Sequence, residues 1–339
     1  MTMRRHNLLA GGMIALALIA TLPTWAACAR HDASGLQPED VTSDDVRRWM
    51  DELSNWGRWG EDDQLGALNL ITPEKRVAAL RLATEGIVVS MSRQPRVLPV
   101  SATPEGERPD GAFWHRDFQI PRNGIAIENI SIFQHGVVHT HLDALCHFGH
   151  EGQLYNGVSF EEVVNTETGC TKMGIDNIRE GIVTRGVLLD IPRLKGVPYL
   201  EPGYAVTPEE ILAWEEQAGV KVGPGDVVLL HTGRWLRPPP GDEDPTAGWH
   251  PAVTPWFKER DVAVMGSDGS QDAVVYDDFP FPVHMPALVA LGVHVIDAAD
   301  LTAVAETAAE LNRWEFLFVA APLHLPGNTG SPFDPLAIF

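Results

Sequence analysis

From Gly86 onward the chain is dominated by short runs of aliphatic and β-branched residues separated by turn residues, at 87–91, 130–133, 186–191, 226–231, 262–265, 293–296 and 316–321. Runs of this length between turn signals read as strands. Helical spacing appears only in places. Val46, Met50 and Leu53 share one face of residues 46–53, and further helices are predicted over 72–84, over 207–217 with Pro208 in the first turn, and over 284–291. The mixture predicts an α/β chain, or an α+β chain with a substantial sheet. With 339 residues, 44% of them hydrophobic, there is enough apolar material for one large core. The folded domain is expected over residues 46–339, after a polar, flexible leader at 30–45.

The first 29 residues have a different texture. Arg4 and Arg5 precede an apolar run over residues 8–22, and Pro23 and small residues lead to Ala27-Cys28-Ala29. This is the pattern of a signal peptide, and the run of about 15 residues is shorter than the roughly 20 that span a bilayer. The expectation is an exported protein, periplasmic or secreted. Arg4-Arg5 weakly resembles a twin-arginine signal, and Cys28 offers a lipoprotein attachment, although Trp25 stands where an aliphatic residue is usual. A formal net charge of −21, with no run of Lys or Arg, argues against nucleic acid or an anionic lipid surface as partner. A small-molecule substrate is expected, with no membrane contact beyond a lipid anchor. Beyond the signal peptide only Cys146 and Cys170 remain, and they are read as two buried thiols in preference to a bridge.

His135, His139, His141, His147 and His150 fall within sixteen residues, with Asp143 among them. On an extended chain His135, His139, His141 and Asp143 share one side, while Val138, Thr140 and Leu142 take the other. So many imidazoles on one face repel when protonated and need partners when buried. A divalent ion such as zinc or manganese, which favours neutral imidazole and carboxylate ligands, is the economical explanation. Segments 92–124 and 236–257, rich in Pro, Gly and charge, are read as long loops over or beside this site. No Gly-x-Ser-x-Gly elbow and no phosphate-binding glycine loop is present, which disfavours a serine hydrolase.

The stretch His139-Thr140-His141-Leu142-Asp143-Ala144-Leu145-Cys146-His147-Phe148 resembles the His-x-Gly-Thr-His-x-Asp-x-x-x-His signature of the metal-dependent cyclase family, which includes kynurenine formamidase and isatin hydrolase. Trp59-Gly60-Glu61-Asp62-Asp63-Gln64-Leu65-Gly66-Ala67-Leu68-Asn69 is similar to the family's N-terminal block, and Gly225-Asp226-Val227-Val228-Leu229-Leu230-His231-Thr232-Gly233 to its central strand. The resemblance implies the swivelling β/β/α, kynurenine-formamidase-like fold, a mixed sheet with flanking helices. It also implies a homodimer or larger assembly. By position it makes His141, Asp143 and His284 metal ligands and His147 the proton shuttle, and it places Asp297 where the family often has a carboxylate. Trp56 and Trp59 become candidates to line a pocket for a flat substrate, against the plainer reading of core and rim residues.

The chain departs from the signature at two places. Val137 stands where the family has its first histidine, and His139 where it has glycine. The first ligand is then His139 or His135, with His139 preferred, or else the shell is reduced or the site has lost its metal. The activity implied is hydrolysis of a C–N or C–O bond in a small amide, formamide, cyclic amide or lactone by metal-activated water, with His147 moving the proton. Rival readings are a metal-dependent lyase or dehydratase, and an exported metal- or ligand-binding protein without turnover.

Overall fold

The computed structural model describes residues 40–95, 97–99, 114–122, 124–238 and 245–339, and the apolar runs become the centre of a nine-stranded sheet. Strands Ile182–Asp190, Val227–His231, Val264–Ser267 and His294–Asp297 lie side by side and parallel, in that order. Every residue of the last three is buried. Parallel strands covered on both faces need this, so they appear in sequence as unbroken apolar runs rather than alternations. Antiparallel strands extend the sheet on both sides. Glu315–Ala320, Leu336–Ile338 and Val88–Ser90 continue it beyond Ile182–Asp190, while His141–Asp143 and then Gly330–Pro332 continue it beyond His294–Asp297. The mixed sheet and its helices agree with the α/β expectation.

Helix Pro208–Ala218 shows how local sequence sets an element. Thr207 accepts a hydrogen bond from the Glu210 amide, and the Glu210 carboxylate accepts one from the Thr207 amide, closing a capping box. The helix buries Trp214, whose indole N–H donates to the Leu188 carbonyl at 2.9 Å and ties it to the sheet. The first helix spans Ser43–Glu52, three residues earlier than periodicity places it, because Thr42 and Asp45 form the same kind of box. Val41 is buried, and its carbonyl accepts from the Tyr276 hydroxyl at 2.8 Å. Ordered structure therefore reaches back into the segment read as a flexible leader. The second helix spans Pro73–Leu80, and residues 284–291 contain a π-helical turn, Pro286–Leu291.

Part of the expected loop at 92–124 is strand. Trp114–Arg122 pairs with Ile125–Ile132 in an antiparallel hairpin, and the run at 130–133 is the end of its second arm. Phe118, Ile120, Ile127 and Ile130 are exposed on it. The signal peptide read over residues 1–29 and the leader through residue 39 lie outside the described residues. Among the described residues no helix is long and apolar enough to cross a membrane.

Two tight approaches bring the N-terminal block and the π-helical turn together. Gly66 has φ +57°, and a Cβ there would lie 2.2 Å from the carbonyl oxygen of Gly292. The same carbonyl accepts from the Ala67 amide at 2.8 Å. Only glycine combines that backbone with that proximity.

Cys146 and Cys170 form a disulfide across a separation of 24 residues, which corrects the reading of two free thiols. Sequence spacing does not reveal the pairing, because the fold brings the cysteines together: the Cys146 amide reaches the Met173 carbonyl at 3.3 Å. Closing a loop of that length restricts the unfolded chain and contributes about 3 kcal/mol. Urea unfolding with and without reductant is expected to show a loss of that size. Coincident curves would mean that the bridge contributes nothing to stability.

Candidate metal centre

The site forms where the parallel block meets its antiparallel neighbour. Asp297 ends the last parallel strand, and the ladder places it opposite His141, with Ile296 opposite Leu142 and Val295 opposite Asp143. Residues two apart on a strand share a face, and so do directly opposed residues on paired strands. His141, Asp143 and Asp297 therefore converge. His141 Nε2 lies 3.5 Å from Asp143 Oδ1 and 3.8 Å from Asp297 Oδ2, while its Nδ1 is 2.8 Å from the His139 carbonyl oxygen. The carbonyl can only accept, so Nδ1 carries the proton and Nε2 faces the carboxylates.

Three further histidines close in. His284, on the turn before Pro286–Leu291, has Nε2 3.2 Å from Asp297 Oδ2 and 4.0 Å from Asp143 Oδ2. His135 Nδ1 is 3.0 Å from Asp143 Oδ1, and its Nε2 is 2.7 Å from the Thr329 hydroxyl. His135 reaches this place because residue 330 is glycine, where a Cβ would lie 2.8 Å from the ring. His147 stacks on His135 with centroids 3.8 Å apart, its Nε2 4.0 Å from Asp143 Oδ1. Two triplets, His135/Asp143/His147 and His141/Asp143/Asp297, thus share Asp143, and in each the ligand atoms lie within 4.8 Å of one another. Phe148, stacked on His284 and edge-on to His147, and Phe281 form an apolar wall.

Asp143 is 1% exposed, and among the described residues neither of its oxygens meets a well-directed hydrogen-bond donor. Burial alone would raise its pKa, but the field of His147, the hydrogen-bonding contact of His135 and the fields of His141 and His135 outweigh burial and hold it well below the ordinary carboxylate range. A buried carboxylate that no well-directed hydrogen bond satisfies, ringed by imidazole nitrogens, is a set of groups that fits a divalent cation. Burial pushes His147 down to about 4 against the pull of Asp143, so the ring is neutral at pH 7. Burial would also lower His284, but Asp272 and Asp297 raise it well above the usual value.

The structure sorts the sequence candidates. His135, His141, Asp143, His147, His284 and Asp297 come together; His139 does not join them. Residues 135–139 are bent and strand pairing begins only at His141, so the alternation of an extended chain does not apply there. His139 instead lies edge-on to Trp114, in the lining of a cavity of about 250 Å³ with Arg93, Thr140 and Phe333. Position for position, His135 takes the place next to Asp143 that the preference for His139 had reserved. Trp56 donates to the Val289 carbonyl at 2.7 Å and covers Gly157, while Trp59 packs under the Arg58 guanidinium. Asp272 and Gln271, which touch His284 and Asp297, carry no signal in the sequence, being ordinary polar residues twelve or more positions from either partner.

The sequence matches the family described as "Putative cyclase" over residues 71–272. A solved structure described as a novel cyclase is 30% identical, with a TM-score of 0.73 over 86% of this chain and 99% of that one. Isatin hydrolase A from Labrenzia aggregata, solved with benzyl benzoate, shares the fold at 21% identity and a TM-score of 0.53, covering 74% of this chain and 93% of that one. Isatin hydrolase A from Ralstonia solanacearum does so at 18% identity and a TM-score of 0.51, covering 78% and 97%. No curated protein matches. The fold is that of the cyclases and isatin hydrolases. The chain belongs to the cyclase family.

Proposed function

We propose that the protein is a metal-dependent hydrolase that cleaves a C–N or C–O bond of a small amide, formamide, cyclic amide or lactone. The observation that carries this reading is the buried Asp143 carboxylate, which no well-directed hydrogen bond satisfies and which His135, His141, His147 and His284 surround. His141, Asp143 and Asp297, with His284 and His135 beside them, would hold the ion. When bound, a zinc or manganese ion supplies Lewis acidity that polarises a carbonyl and acidifies a water.

The chain's own residues do the rest. His147 keeps 23% of its side chain exposed, much as His135 does and unlike His141 at 2%, so an incoming substrate can reach it. Neutral at pH 7, it accepts the proton of the attacking water and returns it to the leaving nitrogen or oxygen. Asp143 and Asp297 balance the positive charge, and Phe148, edge-on to His147 and stacked on His284, holds both rings in place. The same reading includes an exported chain, periplasmic or secreted, working on a small molecule as a homodimer or larger assembly. The Cys146–Cys170 disulfide supports export, since such bridges persist in oxidising compartments.

The test is elemental analysis of purified protein, followed by a screen of N-formyl, lactone and cyclic amide substrates with and without a chelator. Stoichiometric zinc or manganese, and activity that a chelator abolishes and the metal restores, are expected. Activity indifferent to the chelator would overturn the reading. Hydrolysis in heavy-oxygen water places the label in the product, which excludes a lyase.

A further inference from the structure

We infer that Gln271 and Asp272, adjacent in sequence, are positioning residues that fix the Asp297/His284 half of the metal centre, an assignment resting on the metal-dependent reading above. They sit on the segment that follows strand Val264–Ser267, and each holds one partner from a different element.

Gln271 is fully buried, and its side-chain amide donates both to Asp297 Oδ1 and to the Ile296 carbonyl, the latter at 2.9 Å. Its own side-chain oxygen accepts from the Trp249 indole N–H at 2.8 Å. That bond decides the amide's orientation, because an indole can only donate; oxygen must face Trp249 and nitrogen must face Asp297. One oxygen of Asp297 is thereby occupied and the other, Oδ2, is left toward His141 and His284.

Asp272 divides its two oxygens in the same way. Oδ1 accepts the Val283 and His284 amides at 2.6 and 3.3 Å, while Oδ2 pairs with His284 Nδ1. A carboxylate at Nδ1 holds a proton there, so Nε2, the nitrogen that faces Asp297 and Asp143, is the one that gives up its proton to take an ion. One carboxylate thus sets both the backbone that carries His284 and the tautomer of its ring.

The support is itself clamped. The Trp249 amide donates to the Gln271 carbonyl at 2.8 Å, and a Cβ on Gly248 would lie 2.4 Å from that same oxygen. Trp249 is fully buried and packs edge-on to Phe257. The orientation of the ligands is therefore referred to the core through Trp249, rather than left to the loop on which Gln271 and Asp272 lie.

The experiment titrates metal-free protein with Mn2+ alone and follows free Mn2+ by electron paramagnetic resonance, for the parent, His284→Ala, Asp272→Asn and Gln271→Met. Asn at 272 still accepts the two backbone amides through Oδ1 but turns an N–H donor toward His284 Nδ1, which drives the ring to the wrong tautomer. Asp272→Asn is expected to bind Mn2+ roughly 10- to 100-fold more weakly, the range seen for an outer hydrogen-bond partner of a ligand, with its thermal midpoint kept. The visible spectrum of the Co2+-loaded variant is expected to shift, which a purely structural role would not cause. If Asp272→Asn fails to fold, Gln271→Met carries the test, with a weakened Mn2+ affinity expected there as well. A parent protein that binds no stoichiometric Mn2+ overturns the metal reading and the positioning role with it. A parent that binds, a His284→Ala protein that does not, and variants at 271 and 272 with parental affinity and spectrum overturn the positioning role alone.

Discussion

Asp143→Asn is expected to emerge from purification folded, nearly free of divalent metal and without measurable turnover. Asp143 is the one residue common to both triplets of candidate ligands, and it is buried where no well-directed hydrogen-bond donor reaches it. Asparagine keeps the shape and the apolar contacts but removes the negative charge that a cation needs in a medium of low polarity. Metal affinity should fall by more than the roughly 10- to 100-fold expected for an outer partner of a ligand. Metal content by elemental analysis and turnover on the substrate found in the screen should therefore vanish together. A variant that keeps full metal and activity would show that the ion, if bound, is held elsewhere.

His147→Ala separates chemistry from binding. It should retain its metal and lose turnover by about 10²- to 10⁴-fold, the usual worth of a positioned acid–base group. His147 is stacked on His135 and lies 4.0 Å from Asp143, so it is close enough to serve as a ligand instead. Metal content decides between the two roles. Loss of stoichiometric metal along with turnover would make His147 a ligand, and unchanged turnover would remove it from the mechanism.

Much of this was open to reading, for physical reasons that differ from residue to residue. The central strands announce themselves because burial on both faces demands unbroken apolar runs, as in Val227–His231. The hairpin Trp114–Arg122 with Ile125–Ile132 does not, because its apolar residues are exposed and interrupted by Arg116, Asp117 and Glu128. The histidine-rich stretch marks half of the site by density alone. The other half depends on the order of strands in the sheet, since nothing local to Asp297 tells that it will stand opposite His141. Alternation along an extended chain puts His135 and His139 on the same face and cannot choose between them; the bend at residues 135–139 and the space left by Gly330 favour His135. Gln271 and Asp272 acquire meaning only through hydrogen bonds that tertiary structure creates.

The bridge between Cys146 and Cys170 lies one residue before His147. It joins the segment that bears the proposed base to a separate hairpin, Val164–Asn165 with Gly169–Cys170. Position is worth a great deal to a proton-transfer group, since small displacements lengthen the hydrogen bond through which it works. A chain that is folded but never oxidised loses one of the tethers on that segment. Two preparations with equal metal can therefore differ in specific activity according to their redox history, and a thiol titration belongs beside the metal assay for every batch.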